Sequence, residues 1–292
     1  MNLDRVKTIA ELRRNTTARL QTVAGQLAPF EADRLIGFLM KCGPTELTLR
    51  AAASLTAPQE RQLDALVADR LTGRPLAYVI GHVEFYGLDL LCDSRGLIPR
   101  PETEELVAAA LDHLPGTATV TRPLIVDVGT GSGNIALALA HHRPDVRVIA
   151  TDIDREALSL ADDNRRRLGL ASRVSLLAGR SLTMFRRARF VDLIVSNPPY
   201  VVPGDPNLDR SVVDYEPHVA LFAGPSGLEI LLELLVGAET VLKPGGWIVS
   251  EMGYDQGNEI RDFLRARPGW KTPVIYRDLA HIERILTVRR ST

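Results

Sequence analysis

The chain has 292 residues, a formal net charge of -1 and 45% apolar residues, which is enough for a full-sized α/β domain and a smaller companion. The near-neutral balance supplies no global basic field for nucleic acid, although a local patch is compatible with it. Cys42 and Cys92 stand apart without metal-ligand spacing, and the six histidines are scattered without an HExxH pattern, so no disulfide framework and no metal are expected. No window approaches a membrane-spanning stretch or a secretory h-region, which predicts a cytoplasmic protein without membrane contact.

From Leu3 to about Leu71 apolar residues recur at helical intervals, as in Leu3, Val6 and Ile9, then Leu20, Val23 and Leu27, then Leu63, Leu66 and Val67. Breaks fall at Pro29, at Gly43-Pro44 and at Thr56 to Pro58, where Thr56 is placed to cap and Pro58 to start a helix. A small helical domain over residues 1–74 follows. Arg13, Arg14, Arg50, Arg61, Arg70 and Arg74 punctuate it, interspersed with Glu11, Glu31, Asp33 and Glu60; a solvated face is the expectation, a docking surface the alternative. Tyr78-Val79-Ile80, then Val83 to Tyr86 and Leu88 to Leu91, read as short strands with glycine turns. These form a hairpin linker over 75–98. In Pro99-Arg100-Pro101-Glu102-Thr103-Glu104 the prolines set an extended entry to a helix. A helix dipole accounts for Glu102 and Glu104 as well as a functional role does.

From Pro123 strands and helices alternate, the mark of a mostly parallel sheet covered on both faces. Strands are predicted at Leu124–Val128, Val146–Thr151, Val174–Leu177, Val191–Ser196 and Trp247–Glu251, with two late ones near Val274 and Ile285. The late pair lacks a helical crossover and reads as an antiparallel edge hairpin. Helices are predicted at Ile135–Ala140, Asp154–Leu168 and Gly227–Leu242.

Between the first strand and helix lies Gly129-Thr130-Gly131-Ser132-Gly133, preceded by Asp127. The spacing is GxGxG, not the dinucleotide fingerprint GxGxxG, and no lysine makes it a phosphate loop. Small residues there admit the methionine and ribose parts of S-adenosylmethionine. Asp152, ending the second strand, is placed to accept from both ribose hydroxyls. After the fourth strand comes Asn197-Pro198-Pro199-Tyr200. Consecutive prolines stop strand and helix alike and leave a rigid ledge. On it the Asn197 side-chain oxygen and the Pro198 carbonyl can accept both hydrogens of a planar NH2 group, with Tyr200 flat against it. Such acceptors favour the tetrahedral nitrogen whose lone pair is free to attack. An amide and an aminopurine both satisfy this geometry.

These stretches resemble the release factor glutamine methyltransferases, the HemK/PrmC family. The resemblance rests on Gly73-Arg74-Pro75 with Gly81 and Glu84-Phe85, on Leu97 to Glu104, on Ser196 to Tyr200, and on Tyr215-Glu216-Pro217 with Ala220-Leu221. It implies a class I S-adenosylmethionine-dependent methyltransferase over 99–292, Rossmann-like, with a mostly parallel seven-stranded sheet and an antiparallel edge hairpin. It implies that Asp127, Gly129 to Gly133, Asp152, Ser181 and Asn197 bind the cofactor. Asn197 to Tyr200 would hold and activate a glutamine amide in the Gly-Gly-Gln loop of peptide-chain release factors, with the segment Pro99 to Glu104 on the active-site wall and Arg100 and Glu102 binding substrate. The helical domain would dock the substrate, and a monomer without stable nucleic-acid binding is expected. The chain departs from the family at Arg180 and Ser181, where an acidic residue usually meets adenine; an arginine cannot accept the amino hydrogens, leaving backbone or stacking on the guanidinium. It departs also at Ser226 and His281, in place of Asp and Gly. Two other readings share part of this pattern: a DNA or RNA adenine N6-methyltransferase, which would need a flipped base and a basic channel, and a cofactor-binding docking protein without catalysis.

Overall fold

Residues 6–116, 122–185, 188–278 and 280–292 are described by the computed structural model; Leu3, the first residue of the predicted helical pattern, lies outside them. The chain divides into two units, one of Met1–Gly81 with Arg210–Tyr215, the other of His82–Asp209 with Glu216–Thr292.

In the first unit α1 (Ile9–Ala24), α2 (Ala28–Met40), α3 (Pro44–Leu49), α4 (Ala57–Leu71) and α5 (Leu76–Ile80) bury a core that includes Leu20, Leu35, Ile36, Leu47 and Val67. Capping boxes start α1 at Thr8 with Glu11 and α4 at Thr56 with Gln59, each satisfying amides that the first turn leaves open. Of the six arginines Arg14, Arg50 and Arg61 are exposed, Arg13 and Arg74 half-buried, and Arg70 buried. Arg13 pairs with Asp33, Arg50 with Glu46 and Arg74 with Asp69. Arg70 is buried and donates to both Glu31 oxygens at 2.8 and 3.0 Å, joining α4 to α2. Tyr78-Val79-Ile80, predicted as strand, is helix: Pro75 starts the turn, Gly81 closes it with φ +79°, and all three side chains are buried. A short apolar run cannot distinguish the two by composition. The helix Arg210–Tyr215 belongs to this unit, where the Tyr215 hydroxyl donates to the Thr72 carbonyl at 2.8 Å.

The second unit opens with a hairpin, β1 (His82–Phe85) paired antiparallel with β2 (Leu88–Leu91). Glu104 accepts from the Tyr86 amide at 2.8 Å in its turn, so that carboxylate has a structural task. Then follow α6 (Glu102–Asp112), β3 (Leu124–Val128), α7 (Asn134–His142), β4 (Arg147–Asp152), α8 (Arg155–Arg167), β5 (Val174–Ala178) and β6 (Val191–Ser196). Helix Glu229–Val241, β7 (Leu242–Glu251), helix Gly257–Arg265, β8 (Val274–Arg277) and β9 (Glu283–Arg289) complete it. The seven-stranded sheet has the order β5-β4-β3-β6-β7-β9-β8. All pairs are parallel up to β7, and β9 runs antiparallel to β7 and β8, as the late adjacent strands predicted. Side chains alternate between two cores: Ile125, Leu193 and Val249 enter one with α6 and α7, Val126, Ile194 and Ile248 the other with helix Glu229–Val241. That alternation is what a sheet covered on both faces requires. Cys42 and Cys92 are free, and burial pushes the Cys92 thiol up to about 12, which makes it a packing residue.

Candidate active site

After β3 the chain winds β4 and β5 onto one side, then returns to lay β6 on the other. This reversal opens a crevice at the strand ends, the standard ligand position in such sheets. A pocket occupies it, lined by Val128 and the loop after β3, Asp152 at the end of β4, Gly179 after β5 and Ser196 at the end of β6.

The glycine loop is built from behind. Asp127, fully buried, accepts on Oδ2 from the Thr130 hydroxyl at 2.6 Å and the Ala136 amide at 3.1 Å. Its Oδ1 has no partner. Burial pushes its pKa up to about 7, the nearby Asp152 charge acting in the same sense. Asp127 lies outside the pocket lining, so it holds the loop that Gly129, Thr130, Gly131 and Ser132 present to the pocket. Gly129 and Gly131 have φ of +73° and +55°, and a Cβ on either would meet no atom within 4 Å. The backbone there is bare and open to a ligand. Gly133, with φ +85°, heads α7 behind the lining.

Asp152 accepts the Gly131 amide on Oδ2 and the Asp154 amide on Oδ1, each at 2.9 Å. A carboxylate oxygen has a second lone pair, so both remain acceptors toward the pocket. Burial raises its pKa, opposed by those amides. Beside it Ile153 is 55% exposed although apolar, and it lines the pocket. Bare glycines, a two-oxygen acceptor and an apolar plate in sequence fit the methionine, ribose and adenine parts of S-adenosylmethionine.

Arg180 and Ser181 also line the pocket, Ser181 with φ +50°. The Arg180 guanidinium is not free: it donates to Glu233 at 2.8 Å, and Glu233 is itself a lining residue on helix Glu229–Val241. An acidic acceptor thus stands at this wall, brought from a distant helix. Position 281 keeps the backbone of a glycine, His281 having φ +61°. Ser226 accepts from the Leu228 amide at 3.2 Å, and Glu229 accepts from the Ser226 amide at 2.9 Å.

On the opposite wall Asn197, Pro198 and Pro199 line the pocket, together with Arg100 and Thr103. The Asn197 amide nitrogen donates to Thr103 Oγ1 at 3.1 Å. Thr103 donates to Glu251 Oε2 at 2.8 Å, and the Tyr200 hydroxyl donates to Glu251 Oε1 at 2.9 Å. Tyr200 stands outside the lining, tethered by its hydroxyl. Burial and the Glu251 charge hold its phenol protonated well above the ordinary value. Glu251 is 2% exposed; burial raises its pKa, while Thr103, Tyr200 and Arg284 oppose the shift. Arg100 pairs with buried Glu216, which also accepts the Ile98 amide at 3.0 Å. Glu102 is exposed and outside the lining. Sequence reasoning did not single out Glu251, Thr103 or Glu233. For Glu251 the available signal was an acid ending a predicted central strand; Thr103 was included in the Pro99 to Glu104 wall segment without a role of its own. Among the described residues no group of three metal-ligating side chains occurs, and no helix is long and apolar enough to cross a membrane.

A family model described as the PrmC N-terminal domain matches residues 11–81, and one described as the methyltransferase small domain matches residues 106–213. A release factor glutamine methyltransferase of Koribacter versatilis is 38% identical over 262 residues, covering 89% of this chain and 91% of its own. The protein of that name from Moorella thermoacetica is 39% identical, covering 89% and 90%. That from Nitratidesulfovibrio vulgaris is 36% identical over 97% of this chain and 96% of its own. Among solved structures, the hMettl16 catalytic domain in complex with a MAT2A 3'UTR hairpin superposes with a TM-score of 0.53 at 15% identity, covering 81% of this chain and 82% of that one. A human methyltransferase 10 domain containing protein gives 0.50 at 17%, covering 70% and 90%. At these identities the likeness is one of fold.

Proposed function

The chain belongs to the release factor glutamine methyltransferase family, and on that premise we propose that it methylates the side-chain amide N5 of the glutamine in the Gly-Gly-Gln loop of a peptide-chain release factor. The observation that carries the reading is the Asn197 amide, whose nitrogen is engaged by Thr103. Its oxygen would be left to accept and, with the carbonyl of Pro198, also a lining residue, would offer two acceptors to one substrate NH2. They draw the nitrogen out of conjugation with its carbonyl, and the lone pair becomes nucleophilic. Bound S-adenosylmethionine supplies an activated methyl group; Gly129 to Ser132 and Asp152 would hold it. No strong base is required, since an amide nitrogen sheds its proton readily once it is cationic. Tyr200, kept protonated, packs and positions. The protein acts in the cytoplasm, as a monomer, on a protein substrate and not on nucleic acid.

The test is mass spectrometry of the Gly-Gly-Gln peptide after incubation of a release factor with the enzyme and S-adenosylmethionine. A gain of one methyl group on the glutamine is expected. Asn197→Ala should lower the rate by about a hundredfold or more. Transfer that survives Asn197→Ala, or that lands on adenine and not on the factor, would refute the assignment.

A further inference from the structure

An asparagine side chain can face a substrate with its oxygen or with its NH2, and the two orientations have nearly the same shape. Only hydrogen-bond partners decide between them. The partner of Asn197 is a hydroxyl, Thr103 Oγ1 at 3.1 Å, and a hydroxyl alone would not decide, because it can donate or accept. Thr103 has one proton, and it is directed at Glu251 Oε2, 2.8 Å away. The second Glu251 oxygen accepts from Tyr200 at 2.9 Å. The carboxylate is an acceptor on both sides, so Thr103 has only lone pairs to offer. Asn197 must then present its NH2 to Thr103 and its oxygen elsewhere. Glu251 and Thr103 are 2% and 1% exposed, where leaving a polar group unpaired is costly.

We propose that Glu251, acting through Thr103, is the positioning residue that fixes the orientation of the Asn197 amide and thereby makes the site select a substrate amide over a substrate carboxylate. The inference rests on the reading of the site as a glutamine-amide site. Asn197 with its oxygen outward, next to the Pro198 carbonyl, attracts NH2 and repels a carboxylate. Asn197 turned about would donate to a carboxylate and lose one of the acceptors that activate nitrogen. Discrimination against an analogue that mismatches a buried hydrogen-bonding site can be large, because the site's own groups are left unpaired. Glu251 lies outside the pocket lining, and its effect reaches the pocket through the hydroxyl of Thr103.

The experiment compares the wild-type enzyme with Thr103→Ser, Thr103→Val and Glu251→Gln on two release factors, one carrying Gly-Gly-Gln and one with the glutamine changed to glutamate. Transfer is measured on the first, and inhibition of that transfer by the second gives the amide-to-acid selectivity. Thr103→Ser keeps the hydroxyl and should keep both rate and selectivity. Thr103→Val removes the acceptor for the Asn197 NH2, and Glu251→Gln introduces a donor that lets Thr103 turn its proton on Asn197. Each should lower kcat by about tenfold or more and bring the glutamate factor closer to the glutamine factor in affinity. Binding of S-adenosylhomocysteine should stay within about twofold of wild type in each variant that folds. A purely structural role would lower stability and rate while leaving the selectivity unchanged. That result in either folded variant, or failure of Thr103→Ser to retain selectivity, overturns the inference. No transfer by the wild-type enzyme overturns the functional reading itself and takes this inference with it.

Discussion

Asp127 carries its carboxyl inside the loop it supports, with one oxygen unpartnered. Its pKa is pushed up to about 7 by burial, against 3.8 in the open chain. Between those values the folded protein binds a proton that the unfolded chain does not. Stability therefore falls as pH rises from about 4 to about 7 and levels off beyond, each tenfold difference in proton affinity between the two states being worth about 1.4 kcal/mol. Asp127→Asn keeps the shape and an acceptor for Thr130 but cannot ionise. Its unfolding midpoint should change less between pH 5 and pH 8 than that of the wild type, and an identical slope for the two would rule out this account. The position of Asp127 before a GxGxG loop was readable as a site feature. Its place behind the loop was not, because the choice between touching a ligand and touching the loop is made by where Thr130 and Ala136 fold back. Asn197 to Tyr200 were readable because two prolines carry their constraint in the local chain. Thr103 and Glu251 were not, because their meaning lies in hydrogen bonds across 94 and 51 residues to Asn197 and Tyr200.

The turn before helix Glu229–Val241 is tied to the ledge through Gly227. That residue has φ +75°, and a Cβ there would stand 2.6 Å from the Tyr200 carbonyl oxygen and 2.8 Å from Gln256 Nε2. Gly227→Ala should cost about 1–3 kcal/mol from backbone strain and slow transfer by displacing Tyr200; a variant with wild-type melting and rate would disprove the tie. In the helical unit the buried Arg70–Glu31 pair joins α4 to α2. Glu31→Ala strands a buried guanidinium and should destabilise by about 3–5 kcal/mol, read from chemical denaturation. Adding Arg70→Met to that variant should recover part of the loss; purely additive losses would mean the two side chains are not coupled. The strands of the seven-stranded sheet were readable, five from βα alternation and two as an edge hairpin, although β7 starts at Leu242 and not at Trp247. Tyr78-Val79-Ile80 was not, since β-branched and aromatic residues favour a strand locally while Pro75 and Gly81 impose one helical turn with all three buried. Helix Gly257–Arg265 went unforeseen although Ile260, Phe263 and Leu264 carry the i, i+3, i+4 spacing of a helix face, because nine residues give that pattern a single repeat.

At the scale of the molecule the division into units is not a simple cut in the chain. Met1–Gly81 is joined by Arg210–Tyr215, a segment flanked on both sides by residues of the other unit. A fragment of residues 82–292 retains Arg210–Tyr215 without Thr72, whose carbonyl receives the Tyr215 hydroxyl. In such a fragment backbone amides of 210–215 should exchange with deuterium faster than in the whole chain, by about tenfold or more; equal protection would show that the segment holds itself. The same interleaving sets an order of events during synthesis. The first 81 residues leave the ribosome long before residue 215 does, and at about 5–20 residues per second the interval is roughly 7–27 s. The nascent helical unit therefore waits, incomplete at the Thr72 carbonyl, until most of the catalytic unit has been made. An enzyme whose family acts on the machinery of termination thus completes its first unit only after residue 215 has been added.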